Sequence, residues 1–462
     1  MTKIIKHNFH QSIIRSYDIR GEYNKTLFDS DAKVIGILFG LELGKRKTVN
    51  VAYDGRKSSL SLKENLIEGL LESGINVIEI GLVPTPLLYF SCFELISDGG
   101  IMVTGSHNPK NHNGFKFVKN NGPFFGEELK KFEKKAKKFM LNEPVGSRKK
   151  VNLKKNYIDR VFKGFKQEKK LNVVWDSGNG AAGEIMVGIS KVIEGKKKIL
   201  YEKIDGNFPN HHPDPSEPKN LECCKKEILK NKFDVGFAFD GDGDRLGVVD
   251  DLGRIVPGDK ILLILAKSLC KKKKATVIGD VKCSQVLFDE IKKIGGKVIM
   301  SKTGHSHVKN GMKKYNADLA GEMSGHIFFG DDYYGYDDAI FASIKFLEIL
   351  NTSKKKLSEI VDEIPKVFNT PEIRVECPDE VKFDIISKIA RNLNKKNIEV
   401  FDLDGLRVNS KDGWWLLRAS NTQPALVARC ESLTKKGLEY QKFLVKEEIK
   451  KVDELVSRKI FS

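Results

Sequence analysis

Asp240, Asp242 and Asp244 stand at alternate positions, separated by Gly241 and Gly243 and followed at once by Arg245. Three carboxylates this close repel one another strongly unless a cation lies among them. An all-oxygen donor set suits a hard divalent ion, Mg²⁺ or Ca²⁺. The spacing is not that of an EF-hand, because Arg245 falls where that loop needs glycine and Asp251 where it needs a bidentate glutamate. Arg245, next to the acidic run, is placed to bind phosphate.

Three further loops carry chemistry. Thr104-Gly105-Ser106-His107-Asn108-Pro109 follows an apolar run ending at Val103. A serine on such a turn is exposed, its neighbouring N–H groups can hold an oxyanion, and His107 can polarise a group or pass a proton. It is not a hydrolase elbow, since Asn108 occupies the last glycine position of that motif. In Gly321-Glu322-Met323-Ser324-Gly325-His326 a carboxylate and a hydroxyl suit recognition of sugar hydroxyls. Arg418-Ala419-Ser420-Asn421-Thr422-Gln423-Pro424 offers a guanidinium, hydroxyls and free N–H groups, a phosphate cradle that needs no metal. Arginine is scarce beside lysine, yet Arg20, Arg245 and Arg418 stand near or within such loops, as expected where a bidentate donor is required. Each of these loops taken singly also reads as a polar turn or a helix cap.

The loops sit in a repeated grammar of apolar strand, polar turn and amphipathic helix. Val49–Tyr53, Asn76–Ile80 and Gly100–Val103 read as strands around a helix at Ser58–Glu72; Leu171–Trp175 and Val235–Phe239 as a second set; Ala275–Gly279, Lys297–Met300 and Asp318–Gly321 as a third. Such alternation predicts layered α/β domains with ligand loops at the carboxyl ends of the strands. After about Lys366 the pattern changes. The expected organisation is three tandem mixed α/β domains over 1–148, 149–252 and 253–367, then an α+β domain over 368–462.

A formal charge of +18, mostly from lysine runs such as Lys271–Lys274, describes a solvated surface that also attracts anions. No zinc-finger, homeodomain or RNP-type pattern accompanies it, so no nucleic-acid partner is expected. Seven cysteines, an odd number with no C-x-x-C pair, suit reduced thiols and a cytoplasmic setting. The start of the chain has no apolar leader, and Ile261–Ala266 is too short an apolar run to span a bilayer. No membrane partner is expected; monomer and dimer both stay open.

Together, in this order, the loops resemble the α-D-phosphohexomutase superfamily, and within it the bacterial phosphomannomutase/phosphoglucomutase group. The resemblance runs from Tyr17-Asp18-Ile19-Arg20-Gly21 to the Arg418 loop, essentially the whole chain. It implies four domains around a central cleft and interconversion of the 1- and 6-phosphates of mannose and/or glucose, by way of a phosphoserine and a hexose 1,6-bisphosphate. By this resemblance Ser106 is the phosphoserine, and Asp240, Asp242 and Asp244 bind Mg²⁺ with a phosphoserine oxygen completing the site. Glu322 and Ser324 take sugar hydroxyls, while Arg418, Ser420, Asn421 and Thr422 take the phosphate not in transit. Tyr17, Arg20, His107, Lys116, Arg245, Lys282, His305 and His326 match further cleft positions; Arg245 would stabilise the transferring group, and Lys116 and His326, with His107 behind them, are candidates for proton transfer. The serine loop reads TGSHNP where TASHNP is commoner, and GEMSGH carries the methionine of the mannose/glucose enzymes where phosphoglucosamine mutases usually carry glutamine. The alternatives are a phosphoglucosamine mutase, or a haloacid-dehalogenase-type phosphatase. In the second, Asp244 replaces the expected Thr or Ser, and Ser106 and Arg418 find no use.

Overall fold

The computed structural model describes residues 3–141, 145–396, 398–420 and 424–461; the expected phosphate ligands Asn421 and Thr422 lie outside the described residues. Four larger sheets follow one another along the chain, beside a two-stranded one of Lys3–Ile5 and Phe139–Leu141. The first runs Ile19–Glu22, His112–Lys119, Gly99–Val103, Thr48–Tyr53, Asn76–Leu82, Arg148–Lys150 in spatial order. The second runs Lys197–Leu200, Val173–Asp176, Val235–Phe239, Leu246–Asp250, Ile255–Val256, and the third Lys297–Ser301, Thr276–Asp280, Leu319–Gly321, Ile327–Phe329. In all three, parallel strands joined through helices give way to an antiparallel neighbour. The fourth sheet is antiparallel throughout and is built on the long pair Gly413–Ala419 and Ala425–Ser432. This is the expected α/β class with an α+β unit at the end.

The shared topology explains the faint internal repeat. In each of the first three sheets, a central parallel strand ends and the chain turns straight back into its antiparallel neighbour. The Ser106 loop joins Gly99–Val103 to His112–Lys119, the aspartate loop joins Val235–Phe239 to Leu246–Asp250, and the Glu322 loop joins Leu319–Gly321 to Ile327–Phe329. These three chemical loops are therefore β–β turns in equivalent places. The Arg418 loop connects the two long strands of the fourth sheet.

Val235–Phe239 is apolar at every position because both faces of a central strand are covered. Trp175, Phe237 and Phe239 belong to one core that runs through the second and third units and takes in Leu87, Phe90 and Met102 of the first, while the fourth has its own core around Trp415, Leu417 and Ile389. The first sheet takes in Arg148–Lys150 and the second Ile255–Val256, each a little beyond the expected boundaries at 148 and 252. Among the described residues no helix is long and apolar enough to cross a membrane.

Candidate active site

Ser106 sits at the end of the first sheet with φ +48°, in the left-handed region that costs a non-glycine residue roughly 1–2 kcal/mol. Its N–H donates to Thr104 Oγ1 (2.8 Å) and its hydroxyl donates to Asp240 Oδ2 (2.7 Å); His107 Nδ1 lies 3.2 Å from the same hydroxyl. The two loops meet backbone to backbone. A Cβ on Gly241 would stand 2.4 Å from the Ser106 carbonyl oxygen, so only glycine lets the acidic loop approach this closely. Arg20 donates to the Gly105 carbonyl (2.9 Å) and to Asn108 Oδ1 (3.3 Å), and is itself held by Asp18 (2.6 Å).

Asp240, Asp242 and Asp244 are buried, with one oxygen of each within 4.8 Å of the others. Lys116 reaches in from the first sheet and donates to Asp242 Oδ2 (2.7 Å) and to Asp244 Oδ2. Burial opposes the lysine charge, but the two carboxylates outweigh it and raise the Lys116 pKa. Burial and the neighbouring carboxylates of Asp242 and Asp244 push Asp240 well above the usual carboxylate range; Lys116, and for Asp244 also His326, hold the other two down. Asp242 Oδ1 is buried with no hydrogen-bond partner among the described residues. Oxygen-only donors, with buried oxygens on both Asp242 and Asp244 lacking a hydrogen-bond partner among the described residues and more negative charge than Lys116 neutralises, fit a hard divalent cation.

The third loop closes over this centre. Arg245 pairs its backbone with His326, and the Leu246 N–H donates to the Gly325 carbonyl (2.9 Å), tying the aspartate loop to the Glu322 loop. The Arg245 Nε is buried without a hydrogen-bond partner among the described residues, as suits a guanidinium awaiting an anion. His326 lies between two acids, Nε2 3.2 Å from Asp244 and Nδ1 3.0 Å from Glu322, with Ser324 Oγ 3.1 Å from Nδ1. Burial disfavours its charge, yet Asp244 and Glu322 prevail and lift His326 to about 9. His305, stacked 5.7 Å away, behaves oppositely: burial and the Lys309 charge hold it well below its ordinary value. His107 is likewise kept neutral, by desolvation and by Arg245 and Arg20. Of these three histidines, His326 alone is shifted upward.

Arg418 lies at the meeting of the third and fourth units. Arg418 is buried, and its Nε and Nη2 pair with Asp404 at 3.1 and 3.0 Å. The Ser420 carbonyl accepts from Lys382 (2.5 Å) and the Ser420 N–H donates to Ala425 (2.9 Å). Lys282 donates to Glu372 (3.1 Å) and feels the charges of Arg418 and Glu322, so the third and fourth units meet here. Tyr17 spans from the first unit: its hydroxyl donates to the Thr303 carbonyl (2.9 Å), and the Thr303 N–H donates to Asp404 (3.1 Å). Contacts thus join the first three loops to one another, and the path from Tyr17 through Thr303 and Asp404 to Arg418 links the first and third units to the fourth.

Several residues at this site carried no motif. Asp54 accepts from Thr104, Gly105 and Ser59; Arg56 donates to four carbonyls of the Ser106 loop; Thr85 donates to Asp242 (2.6 Å); Asp337 lies 3.5 Å from His305 and 3.9 Å from His326; Asp404 orients Arg418. Asp54-Gly55-Arg56 was open to detection, because a polar triplet straight after an apolar strand occupies the position where ligand loops form. Thr85 acts across a domain boundary and Asp337 within the third unit; each is a single residue that no local pattern marks.

Four family models match the chain in order: phosphoglucomutase/phosphomannomutase alpha/beta/alpha domain I over residues 11–142, domain II over 155–253, domain III over 257–368 and the C-terminal domain over 372–445. The chain is 41% identical over 436 residues to a phosphomannomutase/phosphoglucomutase of Pseudomonas putida, covering 94% of each. It is 38% identical to a phosphoglucomutase of Neisseria gonorrhoeae over 93% of this chain and 95% of that one. The crystal structure of a phosphoglucomutase/phosphomannomutase family protein of Burkholderia thailandensis superposes with a TM-score of 0.89 at 36% identity, covering 96% of this chain and 98% of the other.

Proposed function

The chain belongs to the phosphoglucomutase/phosphomannomutase family and is a phosphohexomutase, an isomerase that interconverts hexose 1- and 6-phosphates; we propose that Ser106 carries the phosphoryl group in transit and that mannose and glucose phosphates are its substrates. The observation that carries this reading is the hydrogen bond from Ser106, held at a left-handed φ, to one of three clustered buried aspartates, with Arg20 on the serine loop and Arg245 directly after the aspartate run.

Phosphoryl transfer asks for alignment and charge neutralisation more than for covalent chemistry by the protein. The phosphorylated Ser106 gives its phosphoryl to the free hydroxyl of a bound hexose monophosphate: the bond from phosphorus to Ser106 Oγ breaks, a bond to the sugar oxygen forms, and the hydroxyl proton passes to the protein. The bisphosphate then turns end for end and returns its other phosphoryl to Ser106. Arg245 would stand beside the transferring group, and Arg418, with Ser420 of the same loop, would hold the phosphate that stays. His326 is the group we assign to relay the proton: raised by Asp244 and Glu322 it starts charged, gives its proton to Ser106 Oγ as that oxygen leaves, and is recharged by the proton of the attacking hydroxyl. Mg²⁺ held by Asp240, Asp242 and Asp244 would supply positive charge to the phosphoryl oxygens. The seven free cysteines support a cytoplasmic setting.

Intact-mass analysis before and after exposure to glucose 1-phosphate, together with turnover of mannose and glucose 1-phosphates, tests the assignment. A chain that turns over substrate with phosphate on an aspartate, and none on Ser106, overturns it.

A further inference from the structure

We propose that Arg56 is a positioning residue for the transfer: it sets the direction of Ser106 Oγ, and through it the rate of the chemical step, without touching substrate. The inference rests on Ser106 being the phosphoryl carrier.

Arg56 follows the strand Thr48–Tyr53 by three residues, and its side chain is wholly buried. Nη1 donates to the carbonyls of Pro109 (2.5 Å) and His112 (2.8 Å), and Nη2 to those of Ser106 (2.7 Å) and Asn108 (2.6 Å). Nε lies 3.3 Å from Asp54 Oδ2. The same carboxylate accepts from Thr104 Oγ1 (2.8 Å) and the Gly105 N–H (3.1 Å). Together Asp54 and Arg56 grip the loop from Thr104 to His112 along its length, where its own backbone closes only two turns, Asn108 N–H to Gly105 and His112 N–H to Pro109.

Ser106 is gripped most closely. Its N–H is fixed through Thr104, which Asp54 holds, and its carbonyl is fixed by Arg56, so both sides of a left-handed φ are pinned. A residue in that region persists only when its surroundings over-determine it. A planar guanidinium presents its donors as a rigid fork, whereas an ammonium has three donors about one point and does not reach four spread carbonyls at once. Phe208, from the second domain, lies over the guanidinium at 5.2 Å, and the space Arg56 fills is the one a side chain on Gly105 would need. Both Nη groups of Arg56 donate to protein carbonyls, and Nε, which makes no hydrogen bond among the described residues, is buried 3.3 Å from Asp54 Oδ2, so the side chain offers no accessible donor to a ligand. Its influence on the reaction passes through Ser106.

The experiment compares Arg56→Met, which keeps the stem and removes the fork, with Arg56→Lys. Steady-state kcat and KM on glucose 1-phosphate, Ser106 phosphate by intact mass, and far-ultraviolet circular dichroism are read on each full-length protein. Misplacing the donor atom is expected to lower kcat of the Met variant by about 100-fold while KM stays within about threefold, because the staying phosphate is held elsewhere. The Lys variant should fall between it and wild type. A folded Met variant with kcat within about threefold of wild type overturns the inference, as does a loss of activity that merely tracks the unfolded fraction. Should the Met variant not fold, Arg56→Lys decides, with a fall in kcat at unchanged KM expected and an unchanged kcat overturning the proposal. Phosphate on wild-type Ser106 with a fully active Met variant sinks only the role of Arg56; no phosphate there in a turning-over wild type sinks the carrier assignment and this inference together.

Discussion

Ser106 Oγ donates to Asp240 Oδ2 across 2.7 Å, joining residues 134 positions apart at the ends of two different sheets. The contact puts the transferring oxygen against the acidic loop before any substrate enters. Ser106→Ala should therefore abolish nearly all turnover, while its unfolding free energy stays within about 1 kcal/mol of wild type, since one hydrogen bond is lost and no packing. A coupled hexose-phosphate assay beside denaturant unfolding checks both halves. Near wild-type turnover would remove Ser106 from the mechanism.

Removing the metal should stop the reaction and adding Mg²⁺ should restore it. Binding is also visible without turnover, because a ligand at a hundred times its dissociation constant stabilises by about 2.7 kcal/mol. Wild type should gain thermal stability with Mg²⁺, and Asp242→Asn should need roughly tenfold more Mg²⁺ for the same gain, having lost one anionic donor. An Asp242→Asn protein that responds like wild type would place the ion elsewhere.

His326 gives the metal-free protein a pH signature. Its folded pKa of about 9 lies above the ordinary value near 6.5. A group raised on folding stabilises fully below its unfolded pKa, and that stabilisation is lost as pH rises through the folded one. Stability in chelator should fall between about pH 6.5 and 9, by on the order of 3 kcal/mol at the limit. His326→Gln should flatten this slope. A His326→Gln profile parallel to wild type over that window would show the imidazole is not charged there.

Much of this was legible in the sequence, for reasons that also mark where legibility ends. The strands Val235–Phe239 and Thr48–Tyr53 announce themselves because central strands are apolar throughout, and the four loops announce themselves because polar residues interrupt that pattern. The loops were readable as turns at strand ends, but their place between parallel and antiparallel neighbours depends on pairing partners distant in the chain. Arginine scarcity was only a partial guide. Arg20, Arg245 and Arg418 do line the cleft, but Arg56, Arg407 and Arg429 are buried donors to backbone carbonyls: Arg407 to Val281 and Cys283, Arg429 to Lys282. The fork that suits a phosphate equally suits several carbonyls of one loop, and composition does not separate the two.

Arg418 is held by Asp404, which points its remaining donors and fixes its plane. A charged hydrogen-bonded contact contributes about 1.5–3 kcal/mol, so Arg418→Ala should raise KM for both hexose phosphates roughly ten- to a hundredfold. Asp404→Asn should raise KM less, because it loosens the guanidinium without removing it. Unchanged KM in Arg418→Ala would move the phosphate cradle to other residues.

Sugar choice depends on what the cleft is able to sense while the bisphosphate turns over. Mannose and glucose differ only at the 2-hydroxyl, and groups near the middle of the ring, the 3- and 4-hydroxyls, are the ones that keep their place when the ends exchange. Glu322 is buried and fixed by the Gly304 N–H on one oxygen and by His326 on the other side, so its carboxylate is a rigid acceptor. Ser324 lies beside it, 3.1 Å from His326. On the proposal that Glu322 takes the 3- and 4-hydroxyls, a rigid acceptor there would read features common to both epimers. Turnover of mannose 1-phosphate and glucose 1-phosphate should accordingly differ by about 1–3 kcal/mol at most in barrier, with glucosamine phosphates poorer. Glu322→Gln keeps the shape and removes the anion, so it should impair both hexoses together and also lower the pKa of His326, which loses one of its two carboxylates. Parallel kcat/KM measurements on the two epimers decide the matter. A Glu322→Gln protein that loses one epimer and keeps the other would show that this loop reads the 2-hydroxyl, and a strong preference for glucosamine phosphate would change the substrate while leaving the transfer chemistry in place.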